Sequence, residues 1–156
     1  MKLCDFVCSD AIVAELKSTN RDGVLRELVQ SLASAKRIEE ESVEPLIKSL
    51  LKREQHGTTG IGRGVAVPHV KEESVTKMVA TVGRSSVGID FSSLDQQSVY
   101  SVFLLLSPPD DPDSHLQAME CIFRHLQQDH FRRFLRQSDT REEIVDLLHE
   151  VDEGQS

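Results

Sequence analysis

Between residues 98 and 107 the chain reads SVYSVFLLLS, a nearly continuous apolar run. A strand with one solvated face alternates apolar and polar side chains, whereas a strand buried on both faces keeps an apolar run. This segment therefore predicts a central β-strand that is covered on both sides. Because strand and helix patterns mix along the rest of the chain, we expect an α/β fold: a single domain with a mixed β-sheet of about five strands, flanked by helices on its faces.

The covering helices are predicted where apolar residues recur at helical spacing. They span residues 20–37, 40–57, 115–128, 130–138 and 140–151. The predicted N-caps of three of them are Asn20 or Asp22, then Ser42, and then Ser138 or Asp139. Further strands are predicted over residues 11–17, 65–67 and 77–86, with a short extended piece over residues 88–91.

Length and charge limit the classes of function. The chain has 156 residues, and we expect residues 1–156 to form one domain. Lys and Arg number 18 against 26 Asp and Glu, so the net charge is −8. Because nucleic-acid binding depends on neutralising phosphates, this balance predicts no nucleic-acid partner. Aromatic residues make up only 4% of the chain, which disfavours an aromatic-lined groove for a sugar or a base.

The cysteines and the apolar runs indicate the compartment. Cys4, Cys8 and Cys121 are odd in number and lack the spacing of a disulfide framework, which is typical of a reducing compartment. The N-terminus has no continuous apolar core and does not resemble a signal peptide. The longest apolar run, Val102–Leu106, is far too short to span a bilayer. We expect a soluble, cytoplasmic protein without direct membrane insertion.

Residues 60–70 read GIGRGVAVPHV, in which three glycines alternate before an apolar run that stops at Pro68 and His69. The segment lacks the Lys-Ser/Thr of a P-loop and the G-x-G-x-x-G of a dinucleotide site, so it disfavours nucleotide binding. Proline fixes its own φ, so His69 leaves the strand at a defined angle. Neutral imidazole is abundant at pH 7, which suits nucleophilic or acid–base chemistry. The residues alone also allow a structural role, in which His69 ends a strand and bonds a carbonyl.

With Arg53 and Glu54 upstream, the segment TGIGRGVAVPH (residues 59–69) resembles the signature of the phosphotransferase-system enzyme IIA domains of the mannitol, fructose and nitrogen-regulatory class. The same pattern continues, in order, with GIDF (88–91), Asp95, VFLLLSP (102–108) and HLQAM (115–119). The likeness covers about residues 16–148, and its Pro-His pair is the most specific part. We expect the free-standing nitrogen-regulatory type, because no transport domain is attached to the sequence.

The resemblance implies a role for three side chains. His69 would accept a phosphoryl group from a phosphohistidine on a small carrier protein of the HPr type. His115, at the start of a predicted helix, would donate a hydrogen bond to the phosphoryl oxygens, and Arg53 would stabilise the same oxygens. The alternative for Arg53 is a helix-end charge that pairs with Glu54 or with the helix dipole.

The supporting residues of this predicted site lie in the loop before Pro68. The second nitrogen of His69 needs an acceptor for its proton, and we expect a backbone carbonyl. Thr58 and Thr59 are expected to offer hydroxyl or backbone donors to a phosphoryl group. Gly60, Gly62 and Gly64 are expected to have a structural role, because they let the backbone lie close to His69 and to the partner. The resemblance implies no cofactor. His125 and His130 lie among arginines without a carboxylate ligand, so no metal site is predicted.

Three segments depart from the expected pattern or stay unassigned. Residues 107–115 (SPPDDPDSH) are unusually acidic, and Asp110, Asp111 and Asp113 are expected to face away from an incoming phosphoryl group. Residues 94–99 (LDQQSV) lack the glycine often found after Asp95, which affects the turn geometry and not the chemistry. Residues 131–136 (FRRFLR) are basic; such a run is usually a solvated helix face and less often a docking patch.

Three functions follow from these residues. The first is a phosphocarrier of the phosphoenolpyruvate-dependent phosphotransferase system that regulates a downstream partner through its phosphorylation state. The second is a sugar-specific component, of the fructose or mannitol type, that passes the phosphoryl group to the IIB domain of a transporter. The third is a binding module whose His69 is never phosphorylated.

Overall fold

Residues 1–154, which the computed structural model describes, form an α/β fold with a mixed sheet. The elements are α1 (Arg21–Ser34), α2 (Val43–Gln55), β1 (Gly60–Gly62), β2 (Val65–Ala66), β3 (His69–Lys71), β4 (Val79–Ile89), β5 (Val99–Ser107), α3 (Pro112–Leu126), α4 (Asp129–Gln137) and α5 (Arg141–Glu153). Single 3-10 turns occupy Leu3–Asp5, Ser9–Ala11 and Glu40–Ser42. The predicted fold class is confirmed. Residues 155 and 156 of the expected domain lie outside the described residues.

Strand β5 lies at the centre of the sheet. β4 pairs with it antiparallel, from Val79 opposite Leu106 to Ile89 opposite Val99. Along the other edge of β5, β2 pairs with residues 101–102 and β3 with residues 105–107, both parallel to β5. β1 pairs antiparallel with β2. Residues 102–106 are fully buried, so the prediction of a central strand covered on both sides is confirmed.

Two hydrophobic layers cover the sheet. Val102, Leu104 and Leu106 pack with residues of α1 and α2 on one face. Phe103 and Leu105 pack with residues of α3, α4 and α5 on the other face. Successive residues of a strand point to opposite faces, so one apolar run serves both layers. Each fully buried Leu or Phe side chain contributes roughly 1.5–3 kcal/mol, which holds the helices against the sheet.

The strand predicted over residues 11–17 is wrong. The N-terminal part of the chain runs beside the outer edge of β4, where it forms isolated bridges from Val7 to Ala80 and from Val13 to Gly83. The Leu16 N–H also donates to the Arg84 carbonyl at 2.8 Å. The 3-10 turn at Ser9–Ala11 separates the two bridges, and bends at residues 14, 15 and 17 keep the later residues from forming a continuous ladder. The apolar residues here are buried in the core without forming a strand.

The helix starts differ in part from their predictions. Asn20 caps α1 as predicted, since its side chain accepts from the Gly23 N–H at 2.8 Å. Ser42 precedes α2 but makes no capping bond, because it belongs to a 3-10 turn and has helical backbone angles. The cap of α5 is Thr140, which accepts from the Glu143 N–H at 3.1 Å.

The two residues predicted as caps of α5 have other partners. The Ser138 hydroxyl donates to the Phe134 carbonyl at 2.8 Å, and Asp139 pairs with Arg84 at 3.3 Å. Their side chains are therefore not available to the first turn of α5.

Candidate active site

His69 lies where two short strands meet beside β5. The strand is interrupted around Pro68, between β2 and β3, because proline has no N–H to donate to the ladder. The Pro68 carbonyl nevertheless accepts from the Leu105 N–H at 3.0 Å, and His69 pairs with Leu105 in the parallel ladder. The backbone on both sides of His69 is therefore held against the central strand.

The imidazole of His69 has one nitrogen fixed and one available. Its Nδ1 lies 2.7 Å from the carbonyl oxygen of Val67, an acceptor, so Nδ1 carries the proton. The lone pair is therefore on Nε2. Burial lowers the pKa of His69; the Val67 bond opposes this, and the positive charges of Arg53 and Lys71 add to the lowering. The ring is neutral at pH 7 and can act as a nucleophile through Nε2.

His115 faces His69 from the first turn of α3. The two ring centroids are 5.7 Å apart, and the ring planes are inclined by 51°. His115 is 8% exposed, and its Nδ1 lies 2.6 Å from the buried Ser107 hydroxyl at the end of β5. Burial, with the nearby His69 and Lys71, lowers the pKa of His115 to about 4. Here too Nε2 is the nitrogen that remains for a ligand.

Arg53 and Lys71 bring positive charge to the histidine pair. Arg53 lies in the last turn of α2, where its Nη1 donates to the Gly57 carbonyl at 2.8 Å. The cation therefore lies at the C-terminal end of α2, where it interacts favourably with the helix dipole. This is the alternative role that the sequence analysis gave for Arg53. The charge is also close enough to lower the pKa of His69. Lys71 was not predicted; it lies two residues after His69, on the same face of β3.

The two threonines before the glycine segment are bonded within the protein. The Thr58 hydroxyl donates to the Phe91 carbonyl at 2.6 Å and accepts from the Gly60 N–H at 3.0 Å. The Thr59 hydroxyl donates to the buried Glu54 carboxylate, which also accepts from the Thr59 N–H at 3.1 Å. Both hydroxyl protons are therefore engaged within the protein, and the expectation that these threonines donate to a phosphoryl group stays a prediction. Their protons hold the loop to α2 and to the β4–β5 connection.

The glycines serve the backbone, as predicted. A Cβ on Gly60 would lie 2.4 Å from the Ser93 hydroxyl, so only glycine allows this approach. Gly64 has a φ of +80°, and its carbonyl accepts from the N–H groups of Tyr100 and Ser101 at 2.8 and 3.1 Å. Gly62 also has a positive φ. The loop therefore turns tightly beside β5 and delivers the chain to Pro68.

An apolar rim and an acidic loop border the histidines. His69 and His115 line a shallow depression of about 580 Å³ together with Leu116, Met119 and Phe123 of α3. Leu116 is 59% exposed and lies at this rim. A protein surface can therefore approach the histidines over an apolar border.

The acidic side chains around the start of α3 face solvent, as expected. Asp110, Asp111 and Asp113 are all exposed. Asp111 caps α3 by accepting from the Ser114 N–H at 3.2 Å. Its charge thus stabilises the helix start, and α3 begins at Pro112, earlier than the predicted start at His115.

Residues 5–151 match the family model described as phosphoenolpyruvate-dependent sugar phosphotransferase system, EIIA 2. The chain belongs to this EIIA 2 family. A nitrogen regulatory protein from Bradyrhizobium diazoefficiens is 35% identical over 148 residues, 95% of either chain. A PTS system fructose-specific EIIABC component from Bacillus subtilis is 28% identical over 152 residues, 97% of this chain, and this chain spans 24% of that relative's length.

The fold agrees with EIIA 2 membership. Nitrogen regulatory protein IIA-Ntr from Neisseria meningitidis has a crystal structure that matches with a TM-score of 0.82 at 24% identity, over 92% of this chain and 97% of that one. The resemblance read from the sequence is therefore confirmed. As an EIIA 2 protein, the chain is a component of a phosphotransferase system.

Two properties of this EIIA 2 chain concern the wider predictions. Within residues 1–154, no helix is both long and apolar enough to cross a membrane. In the same part of the chain, His, Cys, Asp and Glu side chains nowhere form a group of three or more that could hold a metal ion.

Sequence reasoning missed several contributors to this EIIA 2 site. Lys71 was detectable, because residues two apart on a strand share a face. Ser107 was detectable only as a hydroxyl at the end of an otherwise apolar strand. A backbone carbonyl was expected on the second nitrogen of His69, but that it is the Val67 carbonyl depends on how the loop turns. Glu54 is part of the sequence signature, but its bond to Thr59 depends on the same turn.

Proposed function

We propose that residues 1–156 act as one phosphocarrier domain and that Nε2 of His69 is the phosphoryl acceptor. The observation that carries the proposal is the Val67 carbonyl on Nδ1, which leaves the lone pair of a neutral ring on Nε2. The donor is a phosphohistidine on an HPr-type carrier protein. The Nε2 lone pair attacks phosphorus, the nitrogen–phosphorus bond of the donor breaks, and its electron pair stays on the donor imidazole. His69 loses no proton in this step.

The neighbouring side chains stabilise the phosphoryl group. Phosphoryl transfer depends on positioning and on donors to the equatorial oxygens more than on covalent help from the protein. His115, 5.7 Å away between ring centroids, is near enough for a phosphoryl group to lie between the rings. Its Nε2–H donates to a phosphoryl oxygen when the Ser107 hydroxyl donates to its Nδ1. Arg53 and Lys71 supply the positive charge that opposes the added negative charge.

We propose that the phosphorylated and free forms bind a downstream regulatory partner differently. The added charge of about −1.5 to −2 next to the apolar rim of α3 changes which surfaces can dock there. The higher identity to a protein named nitrogen regulatory supports this function, at 35% against 28% for the fructose-specific relative. The second candidate is a fructose-type component that passes the phosphoryl group to a IIB domain, supported by the name of the relative that joins EIIA to B and C components.

Phosphoryl uptake tests the proposal directly. The protein is incubated with phosphoenolpyruvate, enzyme I and HPr, and its intact mass is followed before and after acid. We expect one acid-labile phosphoryl adduct, lost in His69→Ala and retained in His130→Ala, a control at an exposed histidine on α4. No adduct in the wild type, with HPr fully phosphorylated, would establish the binding-module alternative. Transfer onward to an added IIB domain would favour the fructose-type candidate.

A further inference from the structure

The basic run at residues 131–136 forms one wall of a groove that the proposed phosphoryl site does not use. The groove is lined by Arg132, Arg133 and Arg136 of α4, by Arg63 of the β1–β2 turn, and by Tyr100 of β5, with a volume of about 240 Å³. We call it the arginine groove. Four arginines and one acidic residue, Asp129, line it, although the chain as a whole carries a net charge of −8. Asp129 pairs with Arg132 at 3.1 Å and with Arg133 at 3.9 Å.

The wall formed by α4 is held in place at both ends. At its start, Nη1 of Arg132 donates to the Leu126 carbonyl at 2.6 Å, and Nη2 pairs with Asp129 at 3.1 Å. At its end, Nε of the buried Arg84 donates to the Arg136 carbonyl at 2.8 Å. Arg84 is 6% exposed and also donates to the Ala14 carbonyl at 3.1 Å. The backbone that presents the arginines is therefore fixed before any ligand arrives.

Arg136 is positioned by an aromatic ring. Its guanidinium carbon lies 3.5 Å from the centroid of the Tyr100 ring. Contact with a ring face orients the guanidinium plane and reduces the side-chain entropy lost on binding, while its N–H groups point outward in that plane. Arg136 is exposed, so these donors are accessible from the groove.

Arg63 faces α4 from an unusual backbone conformation. Its φ is +58°, a left-handed conformation that is costly for a residue with a Cβ. The Asp95 carboxylate holds this turn by accepting from the Arg63 N–H at 2.9 Å. The side chain of Arg63 is exposed. The turn thus keeps an arginine opposite the helix at the cost of local strain.

The chemistry of the lining selects a compact anion. Guanidinium groups bind phosphate and carboxylate groups through paired N–H donors. Several of them around a small volume favour a ligand with adjacent phosphoryl groups over a single monovalent ion. We propose that the arginine groove binds a small phosphorylated metabolite that carries at least two phosphoryl groups. Its lining shares no residue with the depression at His69 and His115, so the site is separate from the proposed acceptor.

Calorimetric titration of the full chain with inorganic pyrophosphate tests this site. We expect saturable binding with one ligand per chain, weaker at about 150 mM salt than at about 20 mM because the interaction is between charges. The double variant Arg63→Ala/Arg136→Ala is expected to bind at least about tenfold more weakly. The control Arg26→Ala/Arg37→Ala removes the same charge at two exposed arginines outside the groove lining and should change the affinity less than about twofold.

Further variants separate the groove from the histidine site and from simple charge. His69→Ala should bind pyrophosphate as the wild type does, which makes this test independent of the proposed phosphocarrier function. Arg136→Lys keeps the charge but loses the guanidinium contact with the Tyr100 ring, and is expected to bind about threefold or more weakly. Thermal unfolding of each variant checks that it is folded.

Three results would overturn the groove proposal. One is the absence of saturable binding by the wild type, and another is an equal loss of affinity in the Arg26/Arg37 control. The third is binding of an acidic peptide to the groove without binding of pyrophosphate, because that pattern would make the groove a protein-docking surface.

Discussion

The rings of His69 and His115 lie opposite each other, with their centroids 5.7 Å apart. Each ring makes a hydrogen bond through Nδ1 to the protein. Nδ1 of His69 is bonded to the Val67 carbonyl, and Nδ1 of His115 to the Ser107 hydroxyl. Both rings therefore have Nε2 available. The carbonyl can only accept, whereas the hydroxyl can donate or accept, and this difference allows one ring to attack while the other donates.

The depressed pKa of His69 predicts the pH dependence of phosphoryl uptake. Burial and the charges of Arg53 and Lys71 move this pKa below its ordinary value of 6.5. The neutral ring attacks and the protonated ring cannot, so the uptake rate should fall at a lower pH than it would for a histidine with the ordinary pKa of 6.5. Rapid-quench measurements of phosphoryl uptake from phosphorylated HPr test this pH dependence. Arg53→Gln should move the fall to higher pH, and a wild-type rate that already declines between pH 8 and 7 would contradict the assignment.

Ser107→Ala should impair His115 without removing it. Loss of the hydroxyl leaves the buried Nδ1 without its partner, and the ring no longer has a fixed proton position. The phosphorylated protein should lose its phosphoryl group about 2- to 10-fold faster, as expected for one neutral hydrogen bond. Nitrogen-15 NMR of the imidazole should show the proton of His115 on Nε2 in the wild type. Ser101→Ala, at a buried serine of the same strand, is the control.

The NMR result decides the role of Ser107. A wild-type His115 that carries its proton on Nδ1 would mean that Ser107 accepts, and His115 would then have no donor for a phosphoryl oxygen. Equal phosphoryl lifetimes in Ser107→Ala and Ser101→Ala would show that the contact only supports packing.

The parts of the fold that could be predicted depend on local pattern. The apolar run of β5 identifies the central strand, since no other placement buries both of its faces. The helices follow from apolar spacing, and the segment ending in Pro68 and His69 points to a histidine at a strand break. Each of these patterns is local, because the residues that form it lie within a few positions of one another in the sequence.

The parts that could not be predicted depend on tertiary contacts. Residues 11–17 have the composition of a strand, but bends after the bridge at Val13 interrupt the ladder beside β4. The hydroxyl of Thr59 is suited to bind phosphate, yet it donates its hydrogen bond to the buried Glu54 carboxylate, which only the folded loop brings near. Ser107 meets His115 only because α3 packs over the end of β5.

His115 should also make stability depend on pH. Its pKa falls from 6.5 in the unfolded chain to about 4 in the folded protein, mainly because the ring is buried. Between these values the unfolded chain binds more protons, so stability present above pH 6.5 is lost as the pH falls toward 4. We expect a loss on the order of 1–2 kcal/mol after allowance for solvent screening. Urea unfolding between pH 7 and 4.5 should show a shallower loss in His115→Gln than in His130→Gln or the wild type; parallel curves would exclude this role.

Thr59→Val should destabilise the loop that leads to His69. The change keeps the shape of the side chain but leaves the Glu54 carboxylate, which is 5% exposed, without its hydroxyl donor. The carboxylate keeps the Thr59 N–H, and the lost hydrogen bond to a charged group contributes about 1.5–3 kcal/mol, so the urea midpoint should fall accordingly. Thr76→Val, at an exposed threonine, should change the free energy of unfolding by less than about 0.5 kcal/mol. Equal effects of the two changes would show that the Glu54 contact contributes nothing.

Gln96→Gly should stabilise the turn that departs from the family pattern. Gln96 has a φ of +62°, so a side chain occupies a left-handed position where glycine carries no steric cost. Relief of that strain should exceed the added entropy of the unfolded chain and raise the free energy of unfolding by about 0.5–1 kcal/mol. The neighbouring Gln97→Gly has no such strain to relieve and should be destabilising. Thermal unfolding of the two variants distinguishes them, and a lower melting temperature for Gln96→Gly would mean that the glutamine side chain contributes more than the strain costs.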